Sequence, residues 1–106
     1  MPVGTALAEV FHALGDPVRL AMVQRLTENR SCTIAAVSGG LGITRQGARK
    51  HLQVLVNAKL ATLQPKGRDT VVTLAPDQLE QAKAIIAQLE TQWDTRLEAL
   101  RRFVEE

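Results

Sequence analysis

The stretch Leu41-Gly42-Ile43-Thr44-Arg45-Gln46-Gly47-Ala48-Arg49-Lys50-His51-Leu52-Gln53-Val54-Leu55 decides the fold. Thr44 is a residue type that caps helix N-termini. Ala48, Leu52 and Leu55 follow it at helical spacing, which predicts a helix ending near Ala58. Leu41-Gly42-Ile43-Thr44 reads as a tight turn into that helix. Gly42 can take the left-handed backbone that a sharp turn needs, while Leu41 and Ile43 can lock the flanking helices together. Thr44, Arg45, Gln46, Arg49 and Lys50 fall opposite the apolar stripe. One face of the helix is therefore core, and the other is a row of hydrogen-bond donors.

Upstream, a short helix is expected from Ile34, with Val37 and Leu41 on one side. Gly39, Gly40 and Gly42 keep it brief, since a glycine inside a helix costs about 1 kcal/mol relative to alanine. Ser31 to Thr33 reads as a single extended strand. Leu7, Val10, Phe11 and Leu14 give Thr5 to Leu14 one apolar helical face that stops at Gly15. Asp16-Pro17 is a strong helix start, an acidic N-cap followed by proline at the first helical position. That helix should run to about Glu28, with Leu20, Val23 and Leu26 turned inward.

Downstream, Ala61 to Lys66 and Thr70 to Leu74 read as the strands of a β-hairpin with a basic tip. Pro65, Lys66, Gly67, Arg68 and Asp69 lie at or near its turn. Pro76 and Asp77 open a last helix that continues almost to Glu106. Its apolar residues are Leu79, Ala82, Ile86, Leu89, Trp93, Leu97, Leu100 and Val104, at intervals of three and four. That is a coiled-coil-like seam. At 1.5 Å per residue the helix would be about 42 Å long, whereas a domain of this size has a radius of gyration near 13 Å. It should overhang its own domain and need a partner along its seam. The expected fold class is mainly α with a small β-hairpin. It is one domain over 1–106: first two helices 5–28, helix-turn-helix 34–58, hairpin 61–74 and C-terminal dimerisation helix 76–105.

Composition agrees. The 106 residues are 45% hydrophobic and only 3% aromatic, so the core must be aliphatic. No apolar run approaches the roughly 20 residues that span a bilayer. No basic segment followed by an apolar stretch opens the chain, so no signal peptide is expected. Cys32 is the single cysteine and cannot form an internal disulfide. These features suggest a cytoplasmic protein with no membrane partner. The net charge of +2 hides an asymmetry. Arg30, Arg45, Arg49, Lys50, Lys59, Lys66 and Arg68 stand in the middle third, where no acid lies between Asn29 and Arg68. The C-terminal third, from Asp77 onward, is acidic. A solvated basic face or a polyanion-binding middle would both produce this pattern.

The helix from Thr44 favours the second. A helix that enters the major groove presents its N-terminal residues to base edges while flanking donors hold phosphates. Arg45 or Arg49 could bind guanine bidentately and Gln46 could pair with adenine. Thr44 and Lys50 suit phosphate, and Gly47 would let the backbones approach. Lys66 and Arg68 suit a wing that touches phosphates or the adjacent minor groove.

Two motifs carry a family resemblance. Phe11-His12-Ala13-Leu14-Gly15-Asp16-Pro17-Val18-Arg19-Leu20 and Thr44 to Leu55 together resemble arsenic-repressor (ArsR/SmtB-type) regulators over residues 5–75. The resemblance implies a winged-helix homodimer that represses transcription by occupying operator DNA. Its first and last helices would form the interface, here Leu7, Val10, Phe11, Leu14, Leu79, Ile86, Leu89, Trp93, Leu97 and Leu100. The stretch from Trp93 to Leu100 is similar to a subgroup that does not sense metals. Metal-sensing members carry a Cys-x-Cys-x-x-Cys motif or Asp and His ligands on the last helix. This chain has one cysteine in Cys32-Thr33-Ile34-Ala35-Ala36, and its last helix has neither His nor Cys. A metal site needs several such ligands, so no metal and no cofactor are expected, and the residues name no effector.

Other residues have structural readings. His51, beside Leu52, reads as a packed, hydrogen-bonded histidine, and His12 as structural too. Arg19 should pair with a nearby acid or a helix end. Cys32 fits as a small apolar filler. A protein-interaction module is the competing class, but such winged helices lack the basic row from Arg45 to Lys50. An enzyme is disfavoured: there is no glycine-rich phosphate loop after a strand, no nucleophile–base pair and no ligand cluster.

Overall fold

The computed structural model describes residues 3–105. The elements are α1 (Val3–Leu14), α2 (Pro17–Asn29), β1 (Ser31–Thr33), α3 (Ile34–Ser38), α4 (Arg45–Asn57), β2 (Ala61–Lys66), β3 (Asp69–Leu74) and α5 (Asp77–Glu105). Positions 1, 2 and 106 of the expected domain lie outside the described residues.

Capping chemistry sets the boundaries. Asp16 Oδ2 accepts from the N–H groups of Val18 at 2.9 Å and Arg19 at 3.1 Å, and Pro17 occupies the first turn. Thr33 Oγ1 accepts from Ala36 N–H at 3.1 Å and starts α3. Each cap satisfies an N–H that the first helical turn leaves without a carbonyl. At the far end of α4, Lys59 N–H donates to the Val56 carbonyl and Leu60 N–H to that of Leu55, both at 2.9 Å. This is a Schellman closure. Lys59 holds its left-handed position with φ +62°, where glycine is the usual occupant.

The hairpin is larger than expected. β1 pairs antiparallel with β3 through Cys32↔Val72, giving a three-stranded sheet in the order β1-β3-β2. The ladder continues to Lys66↔Asp69, leaving Gly67 and Arg68 as a two-residue turn. Only the first of these has a positive φ, +63°, which suits a hairpin with glycine leading. Pro65 is tolerated because β2 is an edge strand and need not donate outward.

The core is aliphatic. Val10, Met22, Leu26, Val37, Leu52, Leu55, Leu60 and Val72 are fully buried. Cys32 is half-buried against this cluster. The expected inward position of Leu20 is corrected: it is 43% exposed, because α2 buries Met22, Val23 and Leu26 instead. Leu41 is half-buried but lies beyond α3, which ends at Ser38.

α5 packs on α1 only through its beginning. Ala82 is buried, and Leu79 and Ile85 are partly so. From Ile86 onward every described residue is exposed. The overhang gives a radius of gyration of 18.0 Å and a long axis of 68 Å. Leu7 and Val10 are also corrected. They fill this chain's own core, so their side chains are not free to meet a partner, whereas Phe11, about one-quarter turn from Val10, is 40% exposed. Leu14 is half-buried.

Candidate nucleic-acid interface

The turn before α4 forms as its glycine suggests, with Gly42 at φ +71°. Thr44 Oγ1 accepts from the Gly47 N–H at 2.9 Å and caps α4. Its hydroxyl hydrogen is left free to donate outward. A Cβ at position 47 would stand 3.2 Å from that oxygen. Gly47 thus leaves room for the cap, a reason for glycine internal to the chain. The N–H groups of Arg45 and Gln46 have no carbonyl one turn back, and they add to the positive end of the helix dipole.

α4 separates its faces cleanly. Ala48, Leu52 and Leu55 are buried, while Arg45, Gln46, Arg49, Lys50 and Gln53 are exposed. A cleft of about 410 Å³ runs between α3, the turn, the start of α4 and the hairpin. Arg45 and Arg49 line it from α4 and Arg68 from the hairpin tip. Asp69 also lines it and tempers the positive potential locally. Gln46, Lys50 and Lys66 are exposed but do not line this cleft. The structure therefore brings three of the expected residues to one concavity and leaves the others on surrounding surface.

Two arginines that do not face this cleft hold its frame. Arg25 Nη1 donates to the carbonyls of Val37 at 3.1 Å and Gly39 at 2.7 Å, closing the C-terminal end of α3. Sequence periodicity gave no sign of Arg25, because the bond depends on side-chain reach rather than on spacing. Arg19 does meet a helix end, as expected. Its Nε donates to the Ala13 carbonyl at 2.7 Å and its Nη2 to that of His12 at 3.3 Å, in the last turn of α1. Its Nη1 contacts Nδ1 of His51 at 3.1 Å. His51 is thus a half-buried, hydrogen-bonded histidine. His12 differs: its side chain is exposed and only its carbonyl is used. The N–H of Arg19 does most to hold the Asp16 carboxyl below its usual range, with the charges of Arg19 and His51 and the N–H of Val18 adding to it against desolvation.

A family described as a helix-turn-helix domain matches residues 14–64. A regulator from Bacillus subtilis, the uncharacterized HTH-type transcriptional regulator YuzN, is 36% identical over 69 residues, 59% of this chain and 75% of its own. The ArsR-like transcriptional regulator from Rhodococcus sp. RHA1 superposes with a TM-score of 0.75 at 27% identity, covering 95% of this chain and 96% of that one. The homodimeric winged helix-turn-helix DNA-binding domain from Mycobacterium bovis, a possible ArsR-family regulator, superposes with a TM-score of 0.63. It is 22% identical, with 89% of this chain and 83% of that one covered. Helix-turn-helix, wing and basic cleft together define a DNA-binding transcriptional regulator rather than an enzyme. The chain belongs to the ArsR family of these regulators.

Proposed function

We propose that this protein is a metal-independent repressor that binds operator DNA as a homodimer, with α4 in the major groove. The observation that carries this reading is the convergence of Arg45, Arg49 and Arg68 on one cleft between α4 and the wing. Arg45, Arg49 and Gln46 read base edges. Thr44 and Lys50 hold phosphates, and Gly47 lets the backbones approach. Lys66 and Arg68 contact phosphates or the adjacent minor groove.

A second copy covers the exposed seam of Ile86, Leu89, Trp93, Leu97 and Leu100, together with Phe11, Leu14 and Leu79. Metal independence is supported by the donor set: Cys32 is the single cysteine, and α5 has neither His nor Cys. Among the described residues, no group of three or more His, Cys, Asp or Glu side chains stands close enough to share an ion.

Fluorescence anisotropy against the duplex upstream of its own coding sequence, with random duplex as competitor and across a salt series, tests the reading. Competitor-resistant binding that weakens steeply with salt is expected. Binding no tighter than to random duplex would instead favour a protein-interaction module.

A further inference from the structure

The turn that leads into α4 is built largely of glycine, yet it forms one wall of the basic cleft. We propose that Arg25, which does not itself line that cleft, is a positioning residue that holds the turn and so sets where α4 begins. This rests on the DNA-binding reading of α4 given above.

Gly39, Gly40 and Gly42 line the cleft together with Arg45, Arg49 and Arg68. Gly40 and Gly42 sit at φ +75° and +71°, and glycine has many other backbone states open to it. Leu41 and Ile43, half-buried against the core, pin the second half of the turn. Its first half, Gly39-Gly40, has no side chain to bury. Among the described residues, the backbone bond that closes the turn on α3 runs from Leu41 N–H to the Ser38 carbonyl at 3.4 Å, beyond the usual range.

Arg25 supplies the missing anchor. It stands on α2 between Met22 and Leu26, both fully buried, so its base is fixed in the core. Its Nη1 donates to the Gly39 carbonyl at 2.7 Å and the Val37 carbonyl at 3.1 Å, and lies 3.4 Å from that of Ala36. An Nη carries two hydrogens, and the two shorter contacts use both. These carbonyls belong to a helix end, where no further turn supplies donors. The grip falls on Val37, the residue that α3 buries, and on Gly39, which opens the turn. One nitrogen thus ties α2, α3 and the turn together. Without it the turn keeps its link to α4 but loses its seat on α2. α4 then keeps its charges and loses the register in which Arg45 and Arg49 reach base edges.

The test uses the full chain and two variants. Arg25→Met keeps the apolar stem and removes the donors. Arg25→Lys brings an ammonium with three donors near the place of the one nitrogen that makes both bonds. Arg25 is half-buried and outside the core cluster, so both variants should keep the fold by circular dichroism. Amide-nitrogen NMR order parameters of Gly40, Leu41 and Gly42 report the turn without DNA. They should match rigid backbone, about 0.85, in wild type and Arg25→Lys, and fall below about 0.6 in Arg25→Met. In anisotropy with the duplex upstream of its own coding sequence, Arg25→Met should bind about tenfold more weakly, the size of one lost charge-assisted hydrogen bond. Its random-duplex affinity and salt slope should not change, and Arg25→Lys should bind like wild type.

Order parameters in Arg25→Met equal to those of wild type overturn the clamp, whatever the DNA data show. A turn as loose in Arg25→Lys as in Arg25→Met overturns it too, since the donors are then not what holds the turn. Equal losses on both duplexes, with a salt slope lower by about one, make Arg25 a phosphate contact and overturn the positioning role. Unchanged specific affinity beside a loosened turn also overturns that role and leaves the DNA-binding reading standing. A wild type that does not prefer its own upstream duplex overturns the DNA-binding reading itself, while the order parameters still decide the clamp.

Discussion

Arg45 and Lys66 carry the same charge, but they differ in what they can read. Arg45 opens α4, where a planar guanidinium can meet a guanine edge with two bonds. Lys66 ends β2, where a point charge can only attract phosphate. Arg45→Ala should therefore cost about 1–3 kcal/mol on the specific duplex and relax sequence preference. Lys66→Ala should weaken all sequences alike and lower the salt slope by about one. Equal losses on specific and random duplex for Arg45→Ala would refute its base-reading role. Asp16 gives a prediction about stability. The Arg19 N–H above all keeps its carboxyl ionised to lower pH than the ordinary value near 3.8. A carboxyl lowered in the folded state stabilises above its unfolded pKa and loses that contribution as pH falls through the folded one. The stability gap between wild type and Asp16→Ala, measured by thermal melts, should be constant above roughly pH 5. It should narrow only as the pH drops through and below the ordinary carboxylate value.

At the scale of elements, the end of α4 carries strain. Lys59 sits at φ +62° in a closure that glycine usually completes. A left-handed conformation is unfavourable for a residue with a Cβ. The greater freedom of glycine in the unfolded chain offsets part of the gain. Lys59→Gly should raise stability by about 0.5–1 kcal/mol, read as a higher urea midpoint at unchanged slope. The sequence made most elements legible because their signals are local: Asp16-Pro17, Thr44 and Gly42 each punctuate the chain where the structure turns. What escaped it depends on distant partners. β1 becomes a sheet strand only because β3 returns beside it. Leu20 looked inward by spacing, yet the neighbours of α2 cover a different side. Leu7 and Val10 lie on the apolar face of α1, but spacing cannot say whether that face meets this chain or another. The basic residues of the candidate site were legible one by one. The clamp of Arg25 on the end of α3 was not, because a long side chain can bond in any direction its stem allows, whereas Arg19 meets the helix end expected of it.

The whole molecule is too long for its own core. A chain of this size has a radius of gyration near 13 Å when compact, and here it is 18.0 Å. The excess is α5, which projects Ile86, Leu89, Trp93, Leu97 and Leu100, each 44–59% exposed, and then Phe103 and Val104 at 78% and 81%. A continuous apolar stripe of this kind marks an interaction surface, and its three-and-four spacing suits another helix. A second copy of α5 is the occupant proposed. Sedimentation velocity should then give twice the chain mass of 11.6 kDa. Leu97 is 44% exposed and lies outside the core, so Leu97→Glu should leave the fold intact by circular dichroism while it places a charge in the seam. The variant should sediment as a monomer and bind the specific duplex weakly, because each copy then meets only one half-site. Salt separates the two surfaces. Contact with phosphate weakens steeply as counterions are added, whereas an apolar seam loses little. Wild type should therefore leave DNA at high salt and still sediment as a dimer. A Leu97→Glu variant that remains dimeric would place the interface elsewhere on the molecule.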